Sequence, residues 1–448
     1  MKINLSNKIF STGFQNRIIL FVVPFSILLL YYFAFYPGCL SGDSYAYLSY
    51  FDDHHPLFFL IYLRVLRLIF FGFDGYILMN IFLYSVLLSR LLVLFTKSGL
   101  HLRITVFFSI LFALVPSIGF MMVTYWKDIL YGISIFYLSF LLIFYVITIK
   151  ENRNINNFFF YELAVATLFI IGTRHNGIAA ALITYCILII FLKSIRFKLA
   201  GVFCTALLAN YIVIFLAFQL GGAKKTWMRF DHIIVKHLST FLFENKLDTE
   251  GKKILGQIMP IDSFRTQFSY YSHDGYAYGP NASQYRENVQ SLSKDIRKAF
   301  IRNVKRNPMT FLKSELLMTQ LIWSPVPIKG SFRNSYCTEC GEGVSYFLNM
   351  QFKKLILNSD RIDKPLYTRL IFWSGSFNVW VLFVMLIYVA LFKGKFWTIP
   401  FVPVVSNVCS LFIALVSQDF RYVFSEVLMS FIMLSYLYYL IVSSKVTR

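Results

Sequence analysis

Residues 126–150 read WKDILYGISIFYLSFLLIFYVITIK, and no charged residue interrupts them between Asp128 and Lys150. An apolar helix of about 20 residues is long enough to cross the roughly 30 Å hydrocarbon core of a membrane. The stretch therefore predicts a membrane-spanning helix that begins with the polar residues Lys127 and Asp128 at one membrane surface.

Similar apolar runs recur along the 448 residues, of which 57% are hydrophobic and 15% charged. Soluble proteins contain about 45–50% apolar and about 25% charged residues. This composition excludes a soluble globule, a disordered chain and a coiled coil, and predicts an all-α polytopic membrane protein with about ten transmembrane helices. The runs lie near residues 17–36, 75–96, 104–124, 128–149, 157–173, 177–194, 199–219, 371–392, 397–417 and 422–443. The first run lacks a small-residue cleavage site and is interpreted as a retained helix.

The net charge of +21 is best explained by membrane orientation, because short cytoplasmic loops are enriched in Lys and Arg. Six basic groups flank the apolar runs, and all six fall on one side if residues 57–73, which contain Arg64 and Arg67, do not cross. We therefore predict an interfacial or re-entrant helix there, with both termini in the cytoplasm and no nucleic-acid partner. The groups are Lys2, Lys8 and Arg17; Lys97 and Arg103; Lys150 and Arg153; Lys193, Arg196 and Lys198; Lys393 and Lys395; and Lys445 and Arg448.

Three regions follow from this topology. Residues 1–219 form an N-terminal transmembrane module whose first outer loop covers 37–73, and residues 371–448 form the C-terminal transmembrane helices. The intervening 220–370 stretch is too long for a plain connector, so we predict a small extracytoplasmic domain. Its helix-like pieces lie near 228–246, 283–306 and 308–322.

Cys337 and Cys340 form a C-x-x-C pair in this outer region, without the second pair of ligands that a zinc site needs. A local disulfide is the favoured interpretation, ahead of free thiols or a redox pair, while Cys39 in the first outer loop is an alternative partner for either. The other three cysteines lie in predicted spans and are interpreted as inert packing residues. They are Cys186, Cys204 and Cys409.

The first outer loop contains the densest polar residues. Asp43 follows the Pro37-Gly38 break at the membrane exit, where partial desolvation suits a carboxylate to act as a base, although it is equally suited to begin a short helix at Ser44. The stretch 52–56 reads DDHHP and precedes an apolar helix, whose N-terminus favours an anion such as phosphate. Helix capping by solvated charges and, less favoured, a metal site are the alternatives.

Three further polar groups fall on the same predicted face, and their convergence is more informative than any one of them. Lys127 is suited to bind an anion or simply to reach the membrane surface, and Arg174 is suited to grip phosphate or to occupy a plain helix turn. The pair Asp419 and Arg421 also fits a surface ion pair of little energetic value. The groups are Lys127-Asp128, Arg174-His175-Asn176-Gly177 and Asp419-Phe420-Arg421-Tyr422.

In their order along the chain, these motifs resemble the GT-C superfamily of polytopic glycosyltransferases, and more closely an uncharacterised bacterial GT-C-like family. A glutamine that often follows the first-loop acid in that family is absent here. The size and the Phe/Ile/Lys-rich composition also look like those of phage-type O-antigen glucosyltransferases. The matching motifs are Pro37-Gly38, Asp43, His54-His55-Pro56-Leu57, Trp126-Lys127-Asp128, Arg174-His175-Asn176-Gly177, Asn307-Pro308, Trp323-Ser324-Pro325 and Arg421-Tyr422.

The resemblance implies transfer of a sugar, a hexose by preference, from a polyprenyl-phosphate donor to a surface glycan such as O-antigen, with inversion. The active site would face the periplasm of a bacterial inner membrane. Asp43 would be the catalytic base, Asp128 would orient Lys127 or His175, and no cofactor is implied, with a divalent metal left open. The residues expected to bind the donor phosphate or substrate are His54, His55, Lys127, Asp128, Arg174, His175, Asn176, Arg421 and Tyr422.

Two other functions remain open. A polysaccharide polymerase or ligase would also combine many spans with a large outer region, and would use outer arginines. A flippase or transporter would need no base at Asp43. No P-loop, G-x-S-x-G elbow or H-E-x-x-H motif is present, so nothing in the sequence indicates nucleotide-driven, serine-hydrolase or zinc-protease chemistry.

Overall fold

The protein was analysed as a computed structural model that describes residues 4–70, 72, 74–225, 229–324, 339–360, 366–415 and 418–446. Helices dominate this part of the chain, with one two-stranded sheet of β1 (Cys39–Leu40) and β2 (Glu339–Cys340). Short 3-10 segments cover Lys193–Ile195, Lys395–Phe401 and Phe420–Val423. The α-helices are α1 (Asn4–Ala34), α2 (Gly42–Ser49), α3 (Leu57–Phe70), α4 (Asp74–Lys97), α5 (Leu102–Leu114), α6 (Pro116–Met122), α7 (Lys127–Lys150), α8 (Asn157–Thr173), α9 (Gly177–Phe191), α10 (Arg196–Gln219), α11 (Arg229–Phe243), α12 (Thr249–Ile258), α13 (Ile261–Thr266), α14 (Asp274–Ala277), α15 (Ala282–Ser291), α16 (Ser293–Arg306), α17 (Pro308–Met318), α18 (Gln320–Trp323), α19 (Tyr346–Asp360), α20 (Leu366–Trp373), α21 (Gly375–Phe392), α22 (Val402–Ala414) and α23 (Phe424–Val446).

The expectation of an all-α polytopic membrane protein is confirmed. Within the described residues, seven helices are long and apolar enough to span a membrane, or eight if α5 and α6 form one bent span. The apolar helices α8 and α9, with 17 and 15 residues, are shorter. All ten predicted runs thus contain apolar helices, while the number that cross the membrane stays a prediction.

Two predicted runs are not continuous helices. The run at 104–124 bends by 65° between α5 and α6, where Pro116 is the first residue of α6. Proline has no N–H for the preceding turn and favours the start of a helix. The run at 371–392 is interrupted at Ser374, whose hydroxyl accepts a hydrogen bond from the Phe377 amide and caps α21.

The helix α7, which the opening stretch predicts, lies at the centre of the bundle. It packs against α4, α8, α22 and α23, and 83% of its apolar stretch is buried inside the protein. Because its neighbours cover nearly all of it, both ends of α7 are held in fixed positions. Its first two residues, Lys127 and Asp128, therefore have a defined place at one end of the bundle.

The apolar helix after the first loop is α3, which has 14 residues and packs on α4, α8 and α10. This length falls short of the about 20 residues that a span needs. Its buried face includes Phe59 and Leu63, and the Arg64 guanidinium lies 3.7 Å from the centre of the Phe51 ring. The placement of α3 at the membrane interface stays a prediction.

A second hydrophobic core lies in the long region between α10 and α20. Helices α11 to α17 bury side chains such as Leu238, Leu255 and Tyr285 in it, separately from the core of the bundle. Helices occur where the sequence predicted them, at α11, at α15–α16 and at α17–α18. By contrast, α18 packs on α21 and α22, and α19 packs on α1 and α6, so both are continuous with the bundle.

The cysteine interpretation needs correction. Cys340 forms a disulfide with Cys39, and the two residues face each other in the antiparallel pair of β1 and β2. The favoured C-x-x-C bridge is therefore wrong, and the alternative partner Cys39 is right. Cys337 lies outside the described residues. The three cysteines within the apolar helices are exposed on the helix surfaces, so their interpretation as packing residues is also wrong; they are Cys186, Cys204 and Cys409.

Candidate functional site

The loop between α1 and α2 is held against the segment that leads into α7 by backbone hydrogen bonds. The Cys39 amide donates to the Val123 carbonyl at 2.9 Å, and the Tyr125 amide donates to the Cys39 carbonyl at 2.9 Å. Just before this bridge, Gly38 has a φ of +130°, which side chains disfavour. The loop therefore enters its sheet at a position where glycine is needed.

The short helix α2 begins from this anchored loop. Ser41 and Ser44 form a capping box, in which each hydroxyl accepts from the backbone amide of the other residue. The Trp126 indole donates to the Ser41 hydroxyl at 2.5 Å, and the Ser44 hydroxyl donates to the Tyr125 carbonyl at 2.9 Å. These contacts fix the first turn of α2, which carries Asp43, beside the first turn of α7.

Asp43 forms an ion pair with Arg421, which lies near the other end of the chain, just before α23. The same guanidinium lies 3.1 Å from Asp419 and stacks over Trp126 and Tyr422, with centroid distances of 5.6 and 5.1 Å. Asp43 is the more open carboxylate, with 28% of its side chain exposed against 14% for Asp419. Asp419 and Arg421 do form an ion pair, but it is not the surface pair considered as an alternative, because each side chain is only 14% exposed.

A second ion pair lies beside the first. Arg174 Nε is 3.3 Å from Asp128 Oδ1, and the two side chains are only 6% and 1% exposed. The Arg174 guanidinium stacks 5.0 Å from the centres of both the Tyr131 and the Tyr422 rings. Tyr422 therefore contacts the guanidinium groups of both ion pairs. Asp128 thus pairs with Arg174, a contact that the sequence did not predict, while its orienting of Lys127 or His175 stays a prediction.

The third cation of the site is Lys127. Its ammonium group lies 3.2 Å from His55 Nδ1 and 5.3 Å from the centre of the Tyr47 ring. The Tyr47 and His55 rings meet edge to face at 4.5 Å, and both are buried. Burial first, and then the negative charge of Asp43, raise the pKa of the Tyr47 phenol well above its usual value. The charge of Asp43 therefore acts on the Tyr47 side chain.

The remaining predicted residues lie at the edge of the cluster. His175 is exposed, and its Nε2 is 3.3 Å from the carbonyl of His54, whose ring packs 4.6 Å from that of His55. Asn176 is buried and donates to the Ser410 hydroxyl at 3.0 Å, which links the start of α9 to α22. The structure thus brings the ten predicted site residues to one end of the bundle, with Asn176 in a supporting position.

A buried hydrogen-bond network lies beneath the ion pairs. The Tyr131 hydroxyl donates to Asn407 at 2.5 Å, and Asn407 donates to the Glu426 carboxylate at 2.6 Å. Glu426 is fully buried and also accepts from the Ser425 hydroxyl at 2.8 Å. Tyr131 joins this network to Arg174, so the network supports the position of the second ion pair.

Sequence reasoning missed several of these contributors, although signals for them were present. Glu426 is an acidic residue inside a predicted span, which is by itself an indication of function. Tyr47 follows Asp43 by four positions, so the two share a helix face. Trp126 was noted within a motif but not assigned to the site, whereas its indole and its ring contact both Ser41 and Arg421.

The charges of the cluster balance formally. Its three carboxylates belong to Asp43, Asp128 and Asp419, and its three fixed cations to Arg174, Arg421 and Lys127. An incoming anion would therefore have to compete with carboxylates for the arginines. Among the residues that the structure describes, no three His, Cys, Asp or Glu side chains are grouped so as to hold a metal ion.

Comparisons with known proteins identify no relative: the chain matches no family model, no curated protein and no solved structure. The GT-C resemblance therefore rests on the short motifs quoted above. The function has to be argued from the geometry of the cluster.

Proposed function

We propose that this protein is a membrane glycosyltransferase that moves a hexose from a polyprenyl-phosphate donor to a surface glycan such as O-antigen, with inversion. Its site would lie on the periplasmic face of a bacterial inner membrane. The observation that carries the proposal is the ion pair of Asp43 and Arg421. It combines a partly exposed carboxylate with a guanidinium, and two further cations lie beside it. This arrangement provides a base and an anion-binding group at one point.

Asp43 is the carboxylate best placed to act as the base. It is 28% exposed, whereas Asp128 is 1% exposed and is enclosed with Arg174. A general base must come within hydrogen-bond reach of the proton that it removes, and only an accessible group meets an incoming hydroxyl. Asp43 also accepts a hydrogen bond from Arg421, so an acceptor hydroxyl would share this carboxylate with the guanidinium.

The donor phosphate would be held by the cations of the cluster. A phosphodiester has one negative charge and suits the planar fork of an arginine. Since the cluster is formally neutral, we infer that the phosphate takes over part of the Arg421 guanidinium and loosens its hold on Asp43. Binding of the donor would thereby release the base, while Lys127 and His55 provide additional donors on the other side of Tyr47.

In the proposed transfer step, each bond that forms is matched by a bond that breaks. The acceptor hydroxyl loses its proton to Asp43, its oxygen forms a bond to the anomeric carbon, and the bond from that carbon to the phosphate oxygen breaks. The electron pair leaves with the polyprenyl phosphate, whose charge grows from one to two. Fixed cations that stabilise this developing charge lower the barrier, because they need no rearrangement at that moment.

The membrane level of the cluster agrees with a lipid-linked donor. Lys127 and Asp128 are the first two residues of the spanning helix α7, and Arg421 and Tyr422 lie in the 3-10 segment Phe420–Val423 that leads into α23. Groups at the ends of spanning helices lie at the level of lipid headgroups, where a polyprenyl phosphate presents its sugar. A soluble sugar nucleotide would not require this location.

A polymerase or ligase, the second candidate, would use the outer arginines of α15 and α16, which are paired in the structure as Arg174 and Arg421 are. Arg297 pairs with Asp231 at 2.7 Å, and Arg302 pairs with Asp248 and with Glu250. Two others are also occupied: Arg286 donates to the Ala277 carbonyl at 2.7 Å, and Arg306 lies 3.4 Å from Asp248.

The test is to compare the surface glycan of cells with and without the gene by mass spectrometry after mild acid release. We expect one hexose per repeat to be absent in the deletion and to return with the wild-type gene. A shortened glycan with an unchanged repeat would instead indicate a polymerase. An unchanged glycan would overturn the surface-glycan acceptor.

A further inference from the structure

A cavity lies at the end of the bundle opposite the candidate site. It has a volume of about 590 Å³ and is enclosed by α1, α4 and α7. Its lining on α7 comes from the second half of the helix and the turn that follows, including Phe144, Thr148 and Arg153. With a rise of about 1.5 Å per residue, the 24-residue α7 separates its two ends by about 36 Å. The cavity is therefore a site distinct from the Asp43 cluster.

The mouth of this cavity is basic. Four cations line it, from Arg17, Arg90, Lys97 and Arg153, together with the carboxylate of Glu151. Glu162 takes both ends of the Arg90 guanidinium, at 2.6 and 3.1 Å, and Glu151 lies 3.2 Å from Arg153. Four cations against these two carboxylates leave an excess of two positive charges.

The two uncompensated charges belong to Arg17 and Lys97. Both side chains are exposed, and neither has a carboxylate within 4 Å in the described part of the chain. They lie on different helices, which are joined beside the cavity by a hydrogen bond of 3.2 Å from the Ser89 hydroxyl to the Arg17 carbonyl. This contact holds α1 against α4 beside the cavity, which both Arg17 and Lys97 line.

The inner walls of the cavity are mainly aromatic, with the Arg90 guanidinium 5.0 Å from the centre of the Phe140 ring. Phe21 of α1 and Phe140 and Phe144 of α7 line them, and Phe144 is 36% exposed although it belongs to a spanning helix. Exposed apolar side chains on spanning helices face the lipid chains. The cavity thus combines a cationic mouth with walls that suit hydrocarbon, and its volume falls within the roughly 300–1,000 Å³ of small-molecule sites.

We propose that this cavity binds an anionic phospholipid of the membrane leaflet opposite the candidate site, with the phosphate at Arg17 and Lys97 and an acyl chain along Phe21, Phe140 and Phe144. A free phosphate would use the cations alone and leave the aromatic walls unused. Basic pockets between transmembrane helices are known to hold such headgroups. The inference does not depend on the proposed glycosyltransfer.

Bound lipid would stabilise the packing of α1, α4 and α7, since it touches all three. The helix α7 also carries Lys127 and Asp128 at its other end, so its fixation contributes to the geometry of the Asp43 cluster. We therefore expect the lipid to raise the thermal stability of the whole bundle.

The experiment uses the purified full-length protein in detergent, with phosphatidylglycerol, phosphatidylcholine or inorganic phosphate as the probe. Retained lipid is measured by native mass spectrometry, and stability by the midpoint of thermal unfolding. We expect phosphatidylglycerol to be retained and to raise the midpoint, and the other two probes to do neither at equal concentration. Equal effects of the two lipids would overturn the proposal, and an equal effect of inorganic phosphate would reassign the site to a free anion.

The double variant Arg17→Gln/Lys97→Gln tests the assigned cations. Each basic residue near an anionic headgroup contributes about 1 kcal/mol, so the loss of two should weaken phosphatidylglycerol retention about 30-fold. The matched control is Arg196→Gln/Lys198→Gln, which removes two exposed charges from the start of α10, outside the cavity. Equal losses in the two double variants would show a non-specific charge effect and contradict the site.

Discussion

The carboxylate of Asp43 accepts a hydrogen bond from the guanidinium of Arg421, which lies 378 positions later in the chain. The pair joins the first turn of α2 to the segment that leads into the last helix. Arg421 also contacts Asp419, Trp126 and Tyr422, so one side chain ties the two ends of the protein together at the candidate site.

Replacing Arg421 with lysine should lower transfer by about 10²-fold or more, the usual cost of losing one donor to a developing oxyanion. Lysine keeps the charge but lacks the fork that reaches Asp43 and Asp419 together. Transfer is measured in membranes with a polyprenyl-phosphate hexose. Arg265→Lys, an exposed arginine of α13, is the control and should retain the wild-type rate. Wild-type transfer by Arg421→Lys would contradict a role for its fork.

Asp43 and Arg421 should act as one unit in the reaction. The double variant Asp43→Asn/Arg421→Gln should therefore be scarcely slower than the more damaged single variant, because residues that work together are strongly non-additive. Single-turnover rates of the two single variants and the double variant give the coupling. Losses that simply multiply would show that the two side chains act independently.

Arg174→Ala should destabilise the protein by about 3–5 kcal/mol, the cost of leaving one charge of a buried pair without its partner. Asp128 is only 1% exposed, so water cannot replace the guanidinium. Adding Asp128→Asn to Arg174→Ala should recover much of the lost stability, because the orphaned charge is removed. Thermal unfolding in detergent measures both steps. A double variant as unstable as Arg174→Ala would mean that lost packing on Tyr131 and Tyr422 dominates.

The disulfide should be found between Cys39 and Cys340 by peptide mapping under non-reducing conditions. Cys340→Ser should cost about 2–5 kcal/mol of stability, because the bridge closes a long loop. It should also lower transfer, since β1 leads directly into the turn that carries Asp43. Cys186→Ser, an exposed thiol on α9, is the control and should change neither property. A Cys337–Cys340 peptide as the main product would contradict the assignment.

The helices α11 and α17 should become more stable as the pH rises above neutrality. Burial lowers the pKa of the Lys236 ammonium to about 7, with Glu315 opposing the shift. An unfolded lysine keeps its proton to about pH 10.4, so between these values the unfolded chain binds the additional proton and stability rises with pH, by at most about 1.4 kcal/mol per unit. Burial also lowers the pKa of the neighbouring His237, whose effect falls at lower pH, outside this window.

Hydrogen exchange of peptides from α11 and α17, corrected for the intrinsic rate at each pH, measures this effect. Lys236 donates to the Ser314 hydroxyl and carbonyl on α17, so the two helices report on the same contact. Lys236→Met should abolish the rise, whereas Lys252→Met, an exposed lysine of α12, should preserve it. A rise that persists in Lys236→Met would assign the titration to another group.

Local patterns predicted most of the fold. The apolar runs located the helices, and Pro116 explains the one strong bend, which hydropathy alone does not show. Pairings between distant segments were not predictable, because they depend on the tertiary fold. The sequence offered Cys337 as the nearest partner for Cys340, whereas the sheet brings Cys39 to it across 301 positions.

The candidate site shows the same division. Its residues were predicted as separate polar groups on one face, and the structure brings them together. Pairings between distant residues were not predictable: Arg421 contacts Asp43 as well as Asp419, and Asp128 pairs with Arg174. Residue type and spacing identify charged groups, but the choice of partner depends on how α7, α9 and α23 pack.

The proposed role of Asp43 as the base can be tested most directly by returning Asp43→Asn to a strain that lacks the gene and weighing its released surface glycan. The matched control is Asp262→Asn, an exposed carboxylate of α13. Equal amounts of the two proteins in the membrane fraction show that both variants are produced. The account predicts a repeat without the additional hexose for Asp43→Asn, as in the deletion, and the full repeat for Asp262→Asn. A full repeat in the Asp43→Asn strain would contradict it.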